Sequence, residues 1–372
     1  MYPSRVWRTM DSVNISHPLI DNVTVENATA AWKSEAILSL IETVACLFLN
    51  GLALLVFVKE AHLRVHFNIY LINLALANFV YFAVEGPLDL INHTVSVWYL
   101  GWNWCTVYMY GLWVVSLVQF LTHPLIALNR LWAIALPVHY RQNHTTRTAL
   151  VCCLGTWVLG HLVGLPGIIL DAAYYRKPID GPDGCVVNPD VPGQAAWMLV
   201  VQFFSVAAEA IVVGVFPLIW WLQRRRKRVG HFMLKSEHRP GGAHTVHTHL
   251  DVEHKDHSSH HSHQSHDRAR ARSRGNSVAP NLIEKRDVAA SRKHMHAFLL
   301  LTLLTISVFL CWSPSVIYFT AVAFAPNITN PSIDSSVTLL YNFQAVMDPI
   351  LFTLSLKDLR HGLYKLITCA RW

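Results

Sequence analysis

Charged side chains are scarce in this sequence of 372 residues. Aspartate, glutamate, lysine and arginine make up 14% of it, while hydrophobic residues make up 53%. Soluble domains usually carry about a quarter charged residues, so this scarcity argues against a soluble protein and favours a membrane protein. The formal net charge of +7 comes from basic residues that cluster in particular loops. Such clusters indicate orientation in a membrane and membrane lipid as a partner, and not nucleic-acid binding.

Several patterns that would indicate other functions are also missing. The seven cysteines are widely spaced and form neither a zinc pattern nor a small disulfide scaffold. The two halves show no repeat of the kind common in transporters. No His-x-x-x-His pair or nucleophile elbow lies in the apolar segments, so the sequence predicts no enzyme and no catalytic cofactor.

Long apolar segments are abundant instead. Seven are long enough to cross a bilayer, and they lie near residues 36–58, 67–92, 102–133, 148–170, 195–222, 295–323 and 333–354. The sequence therefore predicts an all-α membrane protein, a seven-transmembrane helix bundle. No short apolar core with a cleavage site precedes the first segment, so this segment is expected to act as the insertion signal.

The loops between the segments differ in charge. Basic groups follow the first, third, fifth and seventh segments, and the strongest is the run at 224–228. The positive-inside rule makes that side cytoplasmic and leaves the N-terminus outside the plasma membrane. Sequons on the outer side predict glycosylation of Asn14, Asn22, Asn27, Asn92 and Asn327.

These patterns divide the chain into five parts. They are an extracellular tail (1–35), the first five helices (36–223), a cytoplasmic loop (224–293), the last two helices (294–355) and a C-terminal segment (356–372).

The cytoplasmic loop is rich in histidine, serine and arginine and is predicted to be disordered, because it has little apolar surface to bury. Its histidines at 254–263 could bind zinc or nickel as a function of the loop. The alternative is a disordered loop that binds such metals only adventitiously, and we therefore predict no metal site. The ends of the loop are expected to continue the fifth and sixth helices.

Short motifs occur in the same order as the segments. They are Asn50 beside Gly51, Asn-Leu-x-x-x-Asn at 73–78, Cys105 and Asn-Arg-Leu at 129–131 in the third segment, Trp157 with Pro166, Cys-Trp-Ser-Pro at 311–314, and Asp-Pro-Ile-Leu-Phe at 348–352. Together they resemble the rhodopsin-like (class A) G-protein-coupled receptors. The resemblance implies a short amphipathic eighth helix over 356–367 that ends at a palmitoylated Cys369.

The resemblance also implies roles for the two ends of the third helix. One end would contact a heterotrimeric G protein through Asn129, Arg130, Leu131, Pro137 and Tyr140. A simpler interpretation is that Arg130 only reaches for lipid phosphates. At the other end the resemblance implies a disulfide between Cys105 and Cys185, on the side where disulfides persist.

Two further sets of residues follow from the resemblance. The activation switch is predicted to comprise Trp312, Pro314, Asp348, Pro349 and Phe352, although Trp312 alone would suggest core packing. The buried polar centre is predicted to comprise Asn50, Asn78, Gln119 and Asp348. Because a buried acid needs a partner or a proton, Asp348 is expected either to hold a sodium ion or to be protonated and hydrogen-bonded to Asn78.

Two positions near Arg130 depart from the family pattern. The family has an acid just before this arginine and often a second acid at the base of the sixth helix, whereas Asn129 and His294 stand there in this sequence. Neither supplies a fixed negative charge. We therefore expect a weakly held resting state and raised basal activity.

The ligand is expected to enter the bundle from outside, because a tail of roughly 35 residues is too short for a separate binding domain. Amine receptors carry aspartate where Leu112 stands and opsins carry lysine where Asn342 stands, so neither ligand is favoured. Either Glu209, or Glu85 with Asp89, is expected to pair with a cationic small molecule or short peptide. The candidate ligand-binding residues are Trp113, Ser116, Glu209, Ser315, Phe319, Thr338 and Tyr341. The alternative function is a seven-span transporter or channel.

Overall fold

The computed structural model describes residues 21–94, 98–179, 184–237, 279–325 and 328–368. Seven of its helices are long and apolar enough to cross a membrane. These spans, first to seventh, are Ser34–Lys59, Asn68–Asn92, Gly101–Ala135, Thr146–Tyr175, Pro192–Arg225, Thr302–Phe324 and Ser332–Ser355. The described residues contain no strand. The predicted fold class, an all-α bundle with seven membrane spans, is confirmed.

The helices extend beyond the spans at several ends. Their full bounds are Asp21–Lys59, Asn68–Thr94, Gly101–Tyr110 continued by Ser116–Ala135, Thr146–Leu170, Pro192–Glu237, Ala279–Phe324 and Pro331–Ser355. π-helical turns interrupt the third span at Gly111–Val115 and end the fourth at Asp171–Tyr175. Shorter helices occupy Ala61–Leu63, Pro137–Asn143 and Lys357–Ile367.

The chain divides into two compact units. One comprises Met1–Leu222 with Leu299–Trp372, and the other is Gln223–Phe298. Within the second unit, residues 224–237 and 279–293 are helical and belong to the helices Pro192–Glu237 and Ala279–Phe324. The histidine-rich stretch lies outside the described residues.

The third span lies at the centre of the bundle. In its most apolar window 83% of residues are buried, against 33% for the first span and 28% for the fourth. The exposed residues of those two spans are largely aliphatic, as Ile37, Ile41, Val151 and Leu162 illustrate. Such continuous apolar faces suit contact with lipid hydrocarbon and would be unfavourable in water.

Small residues allow the fourth span to approach the third closely. A Cβ atom added to Gly160 would lie 2.7 Å from Val118 Cγ2, and one added to Gly164 would lie 2.8 Å from Val114 Cγ2. Helix pairs in membranes use small residues in this way, because association there depends on close van der Waals packing.

One end of the bundle, here called the disulfide end, is held by covalent and ionic contacts. Cys105 and Cys185 form the predicted disulfide, with their Cα atoms 5.6 Å apart. Beside it, Arg176 Nε donates to Asp171 Oδ2 at 2.7 Å, and Arg176 Nη1 donates to Thr106 Oγ1 at 2.8 Å. The segment after the fourth span is therefore fixed to the start of the third.

The opposite end, here called the Arg130 end, carries the C-terminal helix Lys357–Ile367. Its Leu359 is fully buried, while Tyr364 and Ile367 are exposed. Lys365 Nζ donates to Glu60 Oε1 at 3.2 Å, which ties this helix to the end of the first span. Cys369, the predicted palmitoylation site, lies outside the described residues.

We expect the Gly167→Ala substitution to destabilise the bundle by about 1–3 kcal/mol through overpacking. A Cβ atom at Gly167 would lie 2.0 Å from Trp197 Cδ2, and the indole is held by a 2.8 Å bond from Nε1 to the Val163 carbonyl. Thermal unfolding of the purified protein in detergent measures the effect. The matched control is Gly155→Ala, since no atom lies within 4 Å of a Cβ there. Equal melting temperatures for the two variants would contradict the expectation.

Candidate functional site

A buried carboxylate lies at the middle of the bundle. Asp348 is fully buried, and its Oδ2 accepts a 2.9 Å hydrogen bond from Asn78 Nδ2. Asn78 Oδ1 accepts a 3.0 Å bond from Gln119 Nε2, and Asn50 Nδ2 donates to the Ala345 carbonyl at 3.0 Å. The four residues of the predicted polar centre therefore lie together and connect the first, second, third and seventh spans.

The structure adds residues that the sequence motifs missed. Asp348 Oδ1 accepts a 2.7 Å bond from Gln344 Nε2, and His123 Nε2 lies 3.3 Å from the same oxygen. Ser307 Oγ of the sixth span donates to Gln344 Oε1 at 2.8 Å. Gln344 precedes Asp348 by one helical turn, and His123 follows Gln119 by one turn. Helical spacing from the predicted residues was the signal that could have identified them.

Trp312 of the sixth span covers this polar centre. Its ring lies 4.5 Å from the His123 ring and 4.4 Å from the Phe120 ring, measured between centroids. A cavity of about 10 Å³ beneath it has room for roughly one water molecule. Trp312 Nε1 and Asn342 Oδ1, both from residues that line the cavity, have no hydrogen-bond partner among the described residues. A movement of Trp312 would therefore act directly on the residues that hold Asp348.

The remaining switch residues lie on the same two helices. Pro314 lies inside the sixth helix and Pro349 inside the seventh, where each removes one backbone hydrogen-bond donor. Phe352 is fully buried in an apolar cluster with Leu71 and Leu74 of the second span. Its contacts are those of a core residue at the Arg130 end.

Arg130 is held by neutral aromatic groups. Its guanidinium carbon lies 3.1 Å from the centroid of the Phe67 ring, which is a cation–π contact. Among the described residues, no carboxylate forms an ion pair with Arg130, and the side chain of His294 lies outside them. The neighbouring Asn129 is fixed by two tyrosines, since its Nδ2 donates to Tyr70 Oη and its Oδ1 accepts from Tyr140 Oη, both at 3.2 Å.

His144 completes this aromatic arrangement. Its ring stacks on Tyr140 with centroids 4.3 Å apart, and its Nε2 lies 3.3 Å from Tyr70 Oη. Burial, together with the nearby His66 and Arg130, lowers the pKa of His144 from 6.5 to about 4. His144 is therefore neutral at physiological pH. Pro137 begins the short helix that carries Tyr140, and Leu131 is half-buried beside Arg130.

The candidate ligand-binding residues do not form a single group. Trp113 and Phe319 belong to the apolar core near the disulfide, where Trp113 contacts Trp197 at 4.9 Å between centroids. Tyr341 belongs to the polar centre, because its hydroxyl donates to Gln119 Oε1 at 3.4 Å. Glu209 accepts a hydrogen bond from Ser313 of the sixth span. Ser116 donates to the Leu112 carbonyl, Ser315 is buried and Thr338 is half-buried.

Three carboxylates lie between the polar centre and the disulfide end. We call Glu42, Glu85 and Asp89 the acidic cluster. Glu85 is 3% exposed and interacts electrostatically with the other two. Asp89 Oδ1 accepts a 3.0 Å bond from Tyr108 Oη, and its Oδ2 accepts from Ser39 Oγ at 3.2 Å. One oxygen of Glu42 is buried and has no hydrogen-bond partner among the described residues.

Comparison with known families agrees with this arrangement. Residues 49–352 match the family described as 7 transmembrane receptor (rhodopsin family). The chain belongs to this family. The match covers all of the spans except the start of the first and the end of the seventh, and it includes every residue of the polar centre.

Individual receptors show a weaker similarity over part of the chain. The alpha-2B adrenergic receptor of Echinops telfairi is 28% identical over 188 residues, which is 49% of this chain and 47% of that receptor. The receptors of the same name from Didelphis virginiana and Rattus norvegicus are also 28% identical, over 50% and 53% of this chain and 47% and 42% of their own lengths. The chain thus spans about half the length of the curated relatives it matches.

Of the predicted glycosylation sites in this rhodopsin-family chain, only Asn92 has a described side chain. It is 6% exposed at the end of the second helix. A glycan needs an accessible amide, so this burial argues against glycosylation of Asn92. Asn22 and Asn27 lie in the first helix, while Asn14 and Asn327 lie outside the described residues.

The lowered pKa of His144 predicts a pH-dependent stability. Unfolded histidine titrates near 6.5 and His144 in the folded receptor near 4, so the unfolded state binds more protons between these values. Stability should therefore fall as the pH is lowered from about 6.5 to about 4. We expect His144→Gln to weaken this fall in the melting temperature of the purified protein. The exposed His361→Gln is the control, and equal pH profiles for the two variants would contradict the expectation.

Proposed function

We propose that this chain is a G-protein-coupled receptor of the plasma membrane, with the disulfide end outside and the Arg130 end facing the cytoplasm. It would transmit the binding of an extracellular ligand to a heterotrimeric G protein. The observation that carries the proposal is the third span. It joins the disulfide, the polar centre under Trp312 and Arg130 along one buried helix.

The course of the signal follows from these contacts. A ligand at the disulfide end would shift the aromatic residues near Trp312, which packs on Phe120 and His123 of the third span. His123 and Gln119 hold Asp348 and Asn78, so the seventh and second spans would respond with the third. Pro314 gives the sixth helix a point at which its Arg130 end can swing outward. The groove opened there would admit the G protein beside Arg130.

Raised basal activity is part of this proposal. Arg130 rests on Phe67, and Asn129 takes the place of an acid. A cation–π contact contributes about 0.5–1 kcal/mol at exposed sites and about 2 kcal/mol where it is desolvated. An acid at position 129 would add to this contact a hydrogen bond between charged groups, which contributes about 1.5–3 kcal/mol. The resting position of Arg130 would therefore be held less firmly than by a carboxylate.

The ligand would carry a positive charge. Amine receptors carry an aspartate at the position of Leu112, and Leu112 is buried in the apolar core. An amine would therefore lack that carboxylate partner in this chain. The acidic cluster supplies negative charge on the first and second spans, and no ion pair to Glu85 is present among the described residues. Tyr81 and Tyr108 place aromatic rings beside it, which also favours a cation. Glu209, already bonded to Ser313, is the weaker candidate.

Orientation and modification follow the same proposal. The tail with Asn14, Asn22 and Asn27, and the outer loop with Asn327, would be glycosylated. Cys369 would be palmitoylated at the cytoplasmic face, just beyond the amphipathic helix that Lys365 ties to Glu60. The orientation can be read from glycosidase sensitivity of the intact cell surface.

Basal signalling tests the coupling end. We expect ligand-free second-messenger output above mock in cells that express the wild type, and its loss in Arg130→Ala at equal surface level. Asn129→Asp should lower the output about tenfold, since about 1.4 kcal/mol from a restored charged contact changes a population by that factor. The exposed Asn143→Asp should leave it unchanged. A wild type that is silent at the surface, or an Asn129→Asp variant as active as the wild type, would overturn the weak resting state.

A ligand screen tests the acidic cluster. The probes are protonated small amines and short peptides with a free amino terminus, compared with neutral analogues. We expect cationic probes to activate the wild type and Glu85→Gln to reduce their potency at least about tenfold, because it removes one partner of a buried charge pair. Glu209→Gln should change potency much less. Activation by neutral probes alone, or a loss confined to Glu209→Gln, would contradict the assignment.

A further inference from the structure

The charge on Asp348 has to be balanced inside the bundle. Its carboxylate is fully buried, and an isolated buried charge is strongly unfavourable. The amides of Asn78 and Gln344 donate hydrogen bonds to it but carry no charge. Other titratable groups that reach Asp348 electrostatically are Cys46 of the first span, Cys311 of the sixth and Tyr341 of the seventh, and none of them can be positive. Among the described residues, only His123 can supply a positive charge there.

The hydrogen bonds of His123 fix where its protons lie. His123 Nδ1 is 2.9 Å from the Gln119 carbonyl, which can only accept, so Nδ1 carries a hydrogen. Nε2 then faces Asp348 Oδ1 at 3.3 Å. If the imidazole were neutral and the carboxylate ionised, two lone pairs would point at each other. The pair therefore holds one additional proton, on Nε2 or on the carboxyl oxygen, and in both arrangements its net charge is zero.

The groups around Asp348 do not suit a sodium ion. Hard cations of this kind take oxygen ligands. Both carboxylate oxygens face N–H groups, and the amide oxygens of Asn78 and Gln119 already accept bonds from Gln119 and Tyr341. Asn342 Oδ1 has no partner among the described residues, but it is a single neutral oxygen, whereas hard cations take several oxygen ligands. The neighbouring cavity of about 10 Å³ has room for roughly one water molecule and not for an ion with its own water shell.

We propose that a proton shared by His123 and Asp348 takes the place of a sodium ion at the polar centre, so that this protein is indifferent to sodium. The sequence leaves two alternatives for Asp348, a bound sodium ion or a protonated carboxyl group. The proposal selects the proton and adds that Asp348 shares it with His123. The proposal rests on the folded bundle alone and stands or falls independently of G-protein coupling.

Thermal unfolding of the purified full-length protein tests this proposal. The melting temperature is measured in increasing sodium chloride and in choline chloride at the same concentrations, so that ionic strength is matched. We expect identical curves for the wild type. In His123→Leu the carboxylate loses the partner that neutralises it, so sodium should raise the melting temperature by about 5 °C at saturation, while choline should not.

His161→Leu is the matched control. His161 also has Nδ1 on the carbonyl one turn earlier, at 2.7 Å from Trp157, but its Nε2 faces the neutral Tyr110 hydroxyl at 2.9 Å. This variant should remain indifferent to sodium. If His123→Leu does not fold, His123→Gln replaces it, because the amide still bonds to the Gln119 carbonyl but cannot carry the proton.

Two results would overturn the proposal. The first is a wild type whose melting temperature rises saturably with sodium but not with choline, with the rise lost in Asp348→Asn. The second is a His123 variant that folds and is as indifferent to sodium as the wild type, since His123 would then not be what replaces the ion.

Discussion

A buried carboxylate without a fixed cation is the constraint on which this bundle depends. Asp348 lies where four spans meet, and it is stable there only because Asn78, Gln344 and His123 surround it. The proton that His123 and Asp348 share makes the pair neutral. Because His123 also touches Trp312, the charge balance of the centre and the position of the sixth span are set by the same side chain.

At the Arg130 end, too, neutral polar and aromatic side chains stand where ion pairs could form. Asn129 is fixed between two tyrosine hydroxyls, Arg130 lies on Phe67, and His144 stays neutral because it is buried beside other cationic groups. Each of these contacts is weaker than an ion pair between buried partners. The membrane-embedded part of the molecule thus keeps few formal charges, and it balances those that remain by hydrogen bonds and aromatic rings.

Sequence patterns were sufficient for the spans, because length and hydropathy decide them, and for Cys105 with Cys185. Motifs also placed Asn50, Asn78, Gln119 and Asp348 together. They missed His123 although it follows Gln119 by one helical turn, because the third span is buried on nearly every side and has no polar face that distinguishes one buried residue from another. The predicted ligand-binding residues do not form one group in the structure, and Glu209, for example, is hydrogen-bonded to Ser313. The composition of a helix does not show how the helix is rotated or which residues it contacts.

A double-mutant cycle between His123 and Asp348 tests the central claim most directly. The free energies of unfolding of the wild type, His123→Leu, Asp348→Asn and the double variant are compared in sodium-free buffer. If His123 balances the carboxylate, His123→Leu alone leaves a buried charge, and adding Asp348→Asn should restore part of the lost stability. Destabilisation that simply adds up would show that the two residues act independently, and it would contradict this account of the polar centre.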